Sequence, residues 1–69
     1  MFVIQELQTT GNQTALVPPV TRENLNEALS VFHQAASYAA ISTVPVHTVM
    51  LHDERGDVIE KIVFDHSAE

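Results

Sequence analysis

The side chains able to do chemistry in this chain are four histidines, His33, His47, His52 and His66, and the carboxylates nearest to them, Asp53, Asp57 and Asp65. Imidazole and carboxylate are the ligands and proton carriers that work near neutral pH, so this set is the candidate for a metal site or for acid–base catalysis. Its spacing argues against both. Zinc sites announce themselves through close ligand pairs, and no histidine stands three or four residues from another on a predicted helix. A tight hairpin would set His52 opposite Asp57, and a cross-strand pair accounts for that neighbourhood without a cation. His33 follows Phe32 on a helix flank and reads as a partly exposed polar residue. His66 belongs to a short polar tail with Asp65, Ser67, Ala68 and Glu69, which is expected to fray.

Serine, histidine and aspartate all occur, but no serine lies in a Gly-x-Ser-x-Gly elbow, and a chain this small leaves little volume for a pocket and an oxyanion hole. Gly11 and Gly56 are isolated and cannot form a phosphate-cradling loop. The reading is therefore of a non-enzyme, with no catalytic, cofactor-binding or metal-ligating residue and no cofactor.

The elements that would position these groups follow from periodicity. Phe2 to Leu7 is rich in β-formers, Gly11-Asn12 is a turn signal, and Thr14 to Val17 resumes an extended pattern, which predicts a first hairpin. Pro18-Pro19 lacks two donors and is expected to end the second strand. Thr21 is the expected N-cap of a helix, with Glu23 near the positive end of its dipole. Leu25, Ala28, Leu29, Phe32, Ala35, Ala36 and Ala39 recur at helical spacing, with Phe32 at mid-stripe, and the helix should fray at Ala40 to Ser42 before Pro45. Ala35, Ala36, Ala39 and Ala40 allow another backbone to approach closely, either the helix's own sheet or a second helix. Val46 to Leu51 and Val58 to Phe64 flank Asp53-Glu54-Arg55-Gly56, which has aspartate at the start of a type I turn and glycine where φ must be positive. The fold class is α+β: a two-layer sandwich in the order β-β-α-β-β, with one helix packed on one face of an antiparallel sheet. Residues 1–69 form a single domain, of which 63–69 are a partly frayed tail. The strand order cannot be derived, because the connection through the helix allows the second hairpin on either side of the first.

Composition narrows the partners. The net charge is -6, and the three positive side chains, Arg22, Arg55 and Lys61, are scattered. Nucleic acid and anionic membrane surfaces are disfavoured, since affinity for either comes largely from clustered Lys and Arg. The absence of cysteine removes disulfides and thiolate metal sites. No stretch approaches the about 18 continuous apolar residues of a membrane span, and the first residues lack a signal peptide's basic and apolar regions, so the expected location is the cytoplasm. A chain of 69 residues buries only about 60% of the surface its unfolded form exposes. Without a disulfide or metal, oligomerisation is the remaining way to add stability.

Met1-Phe2-Val3-Ile4-Gln5-Glu6-Leu7-Gln8-Thr9, the stretch Phe32-His33-Gln34-Ala35-Ala36, and Ser42-Thr43-Val44-Pro45-Val46-His47-Thr48-Val49 resemble a group of short proteins of unknown function from Gram-positive bacteria and their prophages. The resemblance transfers no activity. It implies a phage or mobile-element setting, in which small acidic proteins often work by binding another protein.

Val46, Thr48 and Met50 should point one way along the third strand, with His47, Val49 and Leu51 opposite; along the fourth, Val58, Ile62 and Phe64 should oppose Ile59 and Val63. Both faces carry apolar side chains and one helix covers only one, so the other is expected to pack against the same face of a second copy. Val46, Met50, Ile59, Val63 and Tyr38 are the candidate interface residues. The expected function is a small protein-interaction module acting as a homodimer, with room for an unidentified protein partner. One alternative is a metal- or ligand-binding enzyme subunit using His47, His52 and the nearby aspartates. Another is an acidic anion mimic that presents Glu23, Glu27 and the Asp53 to Asp57 turn to a basic partner.

Overall fold

A computed structural model describes residues 1–66. β1 (Phe2–Thr10) and β2 (Gln13–Arg22) form one hairpin, α1 (Leu25–Ala40) follows, and β3 (Val46–Asp53) and β4 (Val58–Asp65) form a second. All neighbours are antiparallel and the order across the sheet is β2-β1-β3-β4, so β1 joins the hairpins by pairing with β3 as well as β2. The α+β class and the β-β-α-β-β order are as the periodicity predicts.

Both turns follow from local chemistry. Gly11 has φ of 60°, and among the described residues only it and Gly56 have positive φ, so the Gly11-Asn12 loop is a type II′ turn with glycine in the first central position. In the second hairpin the Gly56 N–H donates to the Asp53 carbonyl (3.1 Å) and the Asp53 N–H to the Asp57 carbonyl (3.0 Å). Gly56 closes this type I turn at φ 92°, a three-residue loop ending in a left-handed glycine.

Two boundaries differ from expectation. β2 does not stop at Pro18-Pro19 but runs on to Arg22. Ile4 pairs with Val20 and Glu6 with Val17, so the two prolines together face Gln5 in a bulge, where no ladder donor is needed. Because β2 is an edge strand, its outer side needs no donors either. Thr21 is consequently held in the ladder opposite Val3, and the helix is capped by Asn24 instead. The Asn24 Oδ1 accepts from the N–H of Asn26 (2.8 Å) and of Glu27 (3.3 Å), satisfying two donors that the helix leaves open.

α1 crosses chiefly over β3 and β1. Ile4, Ala28, Phe32, Ala39, Val49 and Leu51 form the buried core, with Phe2, Leu29, Val31, Ala35, Ile62 and Phe64 packed around it. Phe32, Leu51 and Val49 are the largest fully buried side chains. Ala36 and Ala39 are buried, so the small residues bring the helix down onto its own sheet. Leu25, placed in the apolar stripe by periodicity, is exposed at the first turn.

Candidate functional site

The histidines are distributed to different parts of the fold. His47 is 3% exposed and lies on the helix side of β3, one row from Val49. Its Nδ1 is 3.1 Å from a Glu6 carboxylate oxygen, which also accepts from the Gln8 amide at 2.8 Å. Nε2 of His47 is buried with no hydrogen-bond partner among the described residues. His52, five residues on and of opposite parity, lies on the other face of the sheet, where Nε2 is 3.2 Å from the Gln5 side-chain oxygen and Nδ1 is 2.8 Å from the Asp53 carbonyl. The sheet itself separates the two. An enzyme or metal site combining His47 with His52 is not assembled, and among the described residues no three His, Asp or Glu side chains converge as a metal would require.

His52 faces Val58, not Asp57, across the hairpin, because the three-residue loop pairs Asp53 with Asp57. Asp57 turns to Arg55 instead, with its carboxylate 3.6 Å from the guanidinium. His66 extends the β3–β4 ladder: its N–H donates to the Pro45 carbonyl, its Nε2 is 3.2 Å from the Ala39 carbonyl, and its ring stacks on Phe64 at 6.4 Å. Of the tail expected from residue 63, residues 63–65 belong to β4, and 67–69 lie outside the described residues. His33 is exposed on the helix, edge-on to Phe32 at 5.6 Å.

Asp53 organises its turn. One carboxylate oxygen accepts from the backbone N–H of Asp57 (3.0 Å) and of Arg55 (2.9 Å), and the Arg55 guanidinium lies 3.6 Å from the other. The Asp57 N–H is the main cause that holds this carboxyl below its ordinary value of 3.8; partial burial opposes it, and the N–H and charge of Arg55 reinforce it. At the same end of the molecule the Met1 ammonium lies 4.0 Å from Glu23 and 3.9 Å from Glu54, so Glu23 and the acidic turn share one pole.

An open depression of about 400 Å³ lies against the first hairpin, lined by Gln8, Thr10, Gln13, Thr14 and Ala15, with no charged group among them.

The remaining candidate is the sheet face turned away from the helix. Register places Leu16, Leu7, Thr48 and Val63 in one row across it, Gln5, Met50 and Lys61 in the next, and Val3, His52 and Val58 in a third. Val46, Met50 and Val63 therefore share this face. Tyr38 does not: it stands 64% exposed on α1, in the other layer. Val58 belongs with Val63 and not with Ile62, contrary to simple alternation, because Leu51 pairs with Glu60 while His52 pairs with Val58, and Ile59 is the inserted residue. Strict period-two counting fails wherever such a bulge intervenes, and no residue in Val58-Ile59-Glu60 signals it.

Set against known protein families, curated proteins and solved structures, the chain matches none of them.

Proposed function

We propose that this chain is a small non-enzymatic protein-interaction module that works as a homodimer. The observation that supports this reading is the uneven cover of the sheet. α1 lies on one side, while β4 leaves Val58, Ile59 and Val63 exposed by 55%, 42% and 52%, and the uncovered face also carries Leu7, Leu16 and Met50. Neighbouring apolar side chains left in water mark interaction surfaces, and a chain this short gains stability from burying them against a partner. The resemblance to short prophage proteins adds a setting in which such a dimer would engage another protein.

Light scattering from micromolar to millimolar concentration tests the reading. Twice the chain mass is expected, and Val63→Lys should shift the population toward monomer. A wild-type chain that stays monomeric over the whole range overturns the homodimer.

A second reading is favoured by the pole at which Glu23, Glu54, Asp53 and Asp57 gather. There the module would offer carboxylates to a basic protein. Salt-sensitive binding to a polycationic peptide, abolished by Glu23→Lys with Glu54→Lys, would support it.

A further inference from the structure

The two edges of the sheet are built differently. β2 carries Pro18, Pro19 and a bulge, devices that prevent another strand from adding to an edge. β4, at the opposite edge, has its own bulge at Ile59 near the turn but contains no proline, and from Glu60 to Asp65 it runs in regular register and among the described residues pairs only with β3. The bond from the His66 N–H to the Pro45 carbonyl sets which way its backbone groups face. Antiparallel residues alternate between pairs that exchange both bonds with their neighbour and pairs whose N–H and C=O turn away. With His66 turned toward β3, Phe64, Ile62 and Glu60 turn toward it too, and Lys61, Val63 and Asp65 direct theirs at the edge.

We propose that two copies join edge to edge through β4, antiparallel about a two-fold axis at Val63. The two four-stranded sheets would then continue as one, with both helices on the same side. This inference rests on the homodimer reading and assigns the contact to the β4 edge, not to the uncovered face of the sheet, which such a dimer leaves open on the side away from both helices. An axis at Val63 sets Lys61 against Asp65 of the second copy and Asp65 against its Lys61. It sets Ile62 against Phe64, Glu60 against His66, and Val63 against itself. Every pair is complementary, and the edge-directed groups of Lys61, Val63 and Asp65 meet in the pairs that exchange backbone hydrogen bonds. Other registers do worse. An axis at Lys61 opposes two lysines and one at Asp65 opposes two aspartates, while an axis at Ile62 sets Lys61 against Val63 and Glu60 against Phe64. In a chain of net charge -6, Lys61 forms no ion pair among the described residues, so its charge is available across this edge.

Charge reversal tests the register. Lys61→Asp alone and Asp65→Lys alone each place like charges opposite one another twice, and each should weaken the dimer by about a hundredfold or more, read by sedimentation velocity. Mixed in equal amounts, the two variants should form a heterodimer of near wild-type affinity, because every like pair becomes Asp against Lys. Recovery in the mixture also demonstrates that both variants fold. A mixture that stays monomeric overturns the register. A wild-type dimer that ignores both substitutions but dissociates on Met50→Lys overturns the β4 edge and leaves the homodimer reading standing. A wild-type monomer at millimolar concentration removes both.

Discussion

Glu6 and His47 link the two hairpins through a side-chain contact in which the imidazole is buried. With its proton on Nδ1, the ring donates to the carboxylate, and Nε2 is left beneath the helix without a partner among the described residues. A buried polar group that loses its partner costs about 1 to 3 kcal/mol, whereas removing the polar group altogether is much cheaper. Glu6→Ala should therefore destabilise by about that amount in urea unfolding, and His47→Leu by less; the reverse ranking would show that the pair is not what the ring depends on. Asp53 supplies a pH dependence of known sign. Its carboxyl is held below 3.8 in the folded chain, so its contribution is complete above that value and is lost as the pH falls through the lower, folded value. Asp53→Asn keeps an acceptor for the turn but has nothing to titrate, and its urea midpoint should vary less than the wild type's below about pH 4. Equal acid sensitivity in the two proteins would place the dependence elsewhere. Because His47 and His52 are on opposite faces and no three ligands converge among the described residues, EDTA should leave the thermal midpoint unchanged. A shift of several degrees would reveal a site that the side-chain geometry does not account for.

At the scale of the elements, α1 is held by one aromatic residue and one cap. Phe32 is fully buried in one cluster with Ala28, Ala39, Ile4 and the Val49 and Leu51 side of β3. Truncating a buried phenylalanine costs about 3 to 5 kcal/mol, close to the whole stability of a domain this small, so Phe32→Ala should be largely unfolded by amide NMR. Asn24→Ala removes the acceptor for two helix N–H groups and should cost about 1 kcal/mol, while Thr21→Ala, in the edge ladder, should leave the helix end unaffected. Comparable losses for the two substitutions would return the cap to Thr21.

At the scale of the whole molecule, association and stability are one equilibrium. If folded chains dimerise and unfolded ones do not, the midpoint of thermal unfolding must rise with protein concentration. A tenfold increase in concentration should move it measurably upward for the wild type and should not for Lys61→Asp. A midpoint independent of concentration in the wild type would contradict a dimer that contributes to stability. One edge is closed by two prolines and a bulge at its middle, whereas the other keeps a regular register from Glu60 to Asp65, with Lys61 and Asp65 on the same face either side of Val63.

What the chain's sequence determined by itself is what short-range sterics and hydrogen bonding decide. Gly11 and Gly56 supply positive φ where two turns need it, Asp53 caps its own turn, and the change from period two to helical spacing after Leu25 yields β-β-α-β-β with Phe32 at its centre. Of the candidate interface, the alternation that places Val46 and Met50 opposite His47 and Val49 was legible because a regular strand has only two faces. The tertiary structure alone decided the rest. That β1 and not β2 receives β3, that the helix covers the Val49 face, and that Glu6 meets His47 depend on contacts between residues some forty positions apart, which no local pattern encodes. Pro18-Pro19 reads as a strand end only so long as both sides of the strand need donors. An edge position and a bulge remove that need, and the strand then runs on, moving the cap from Thr21 to Asn24. The same cause hid the last feature of the site: one inserted residue, Ile59, turns Val58 to the face of Val63, and the bulge forms only against the partner strand that accommodates it.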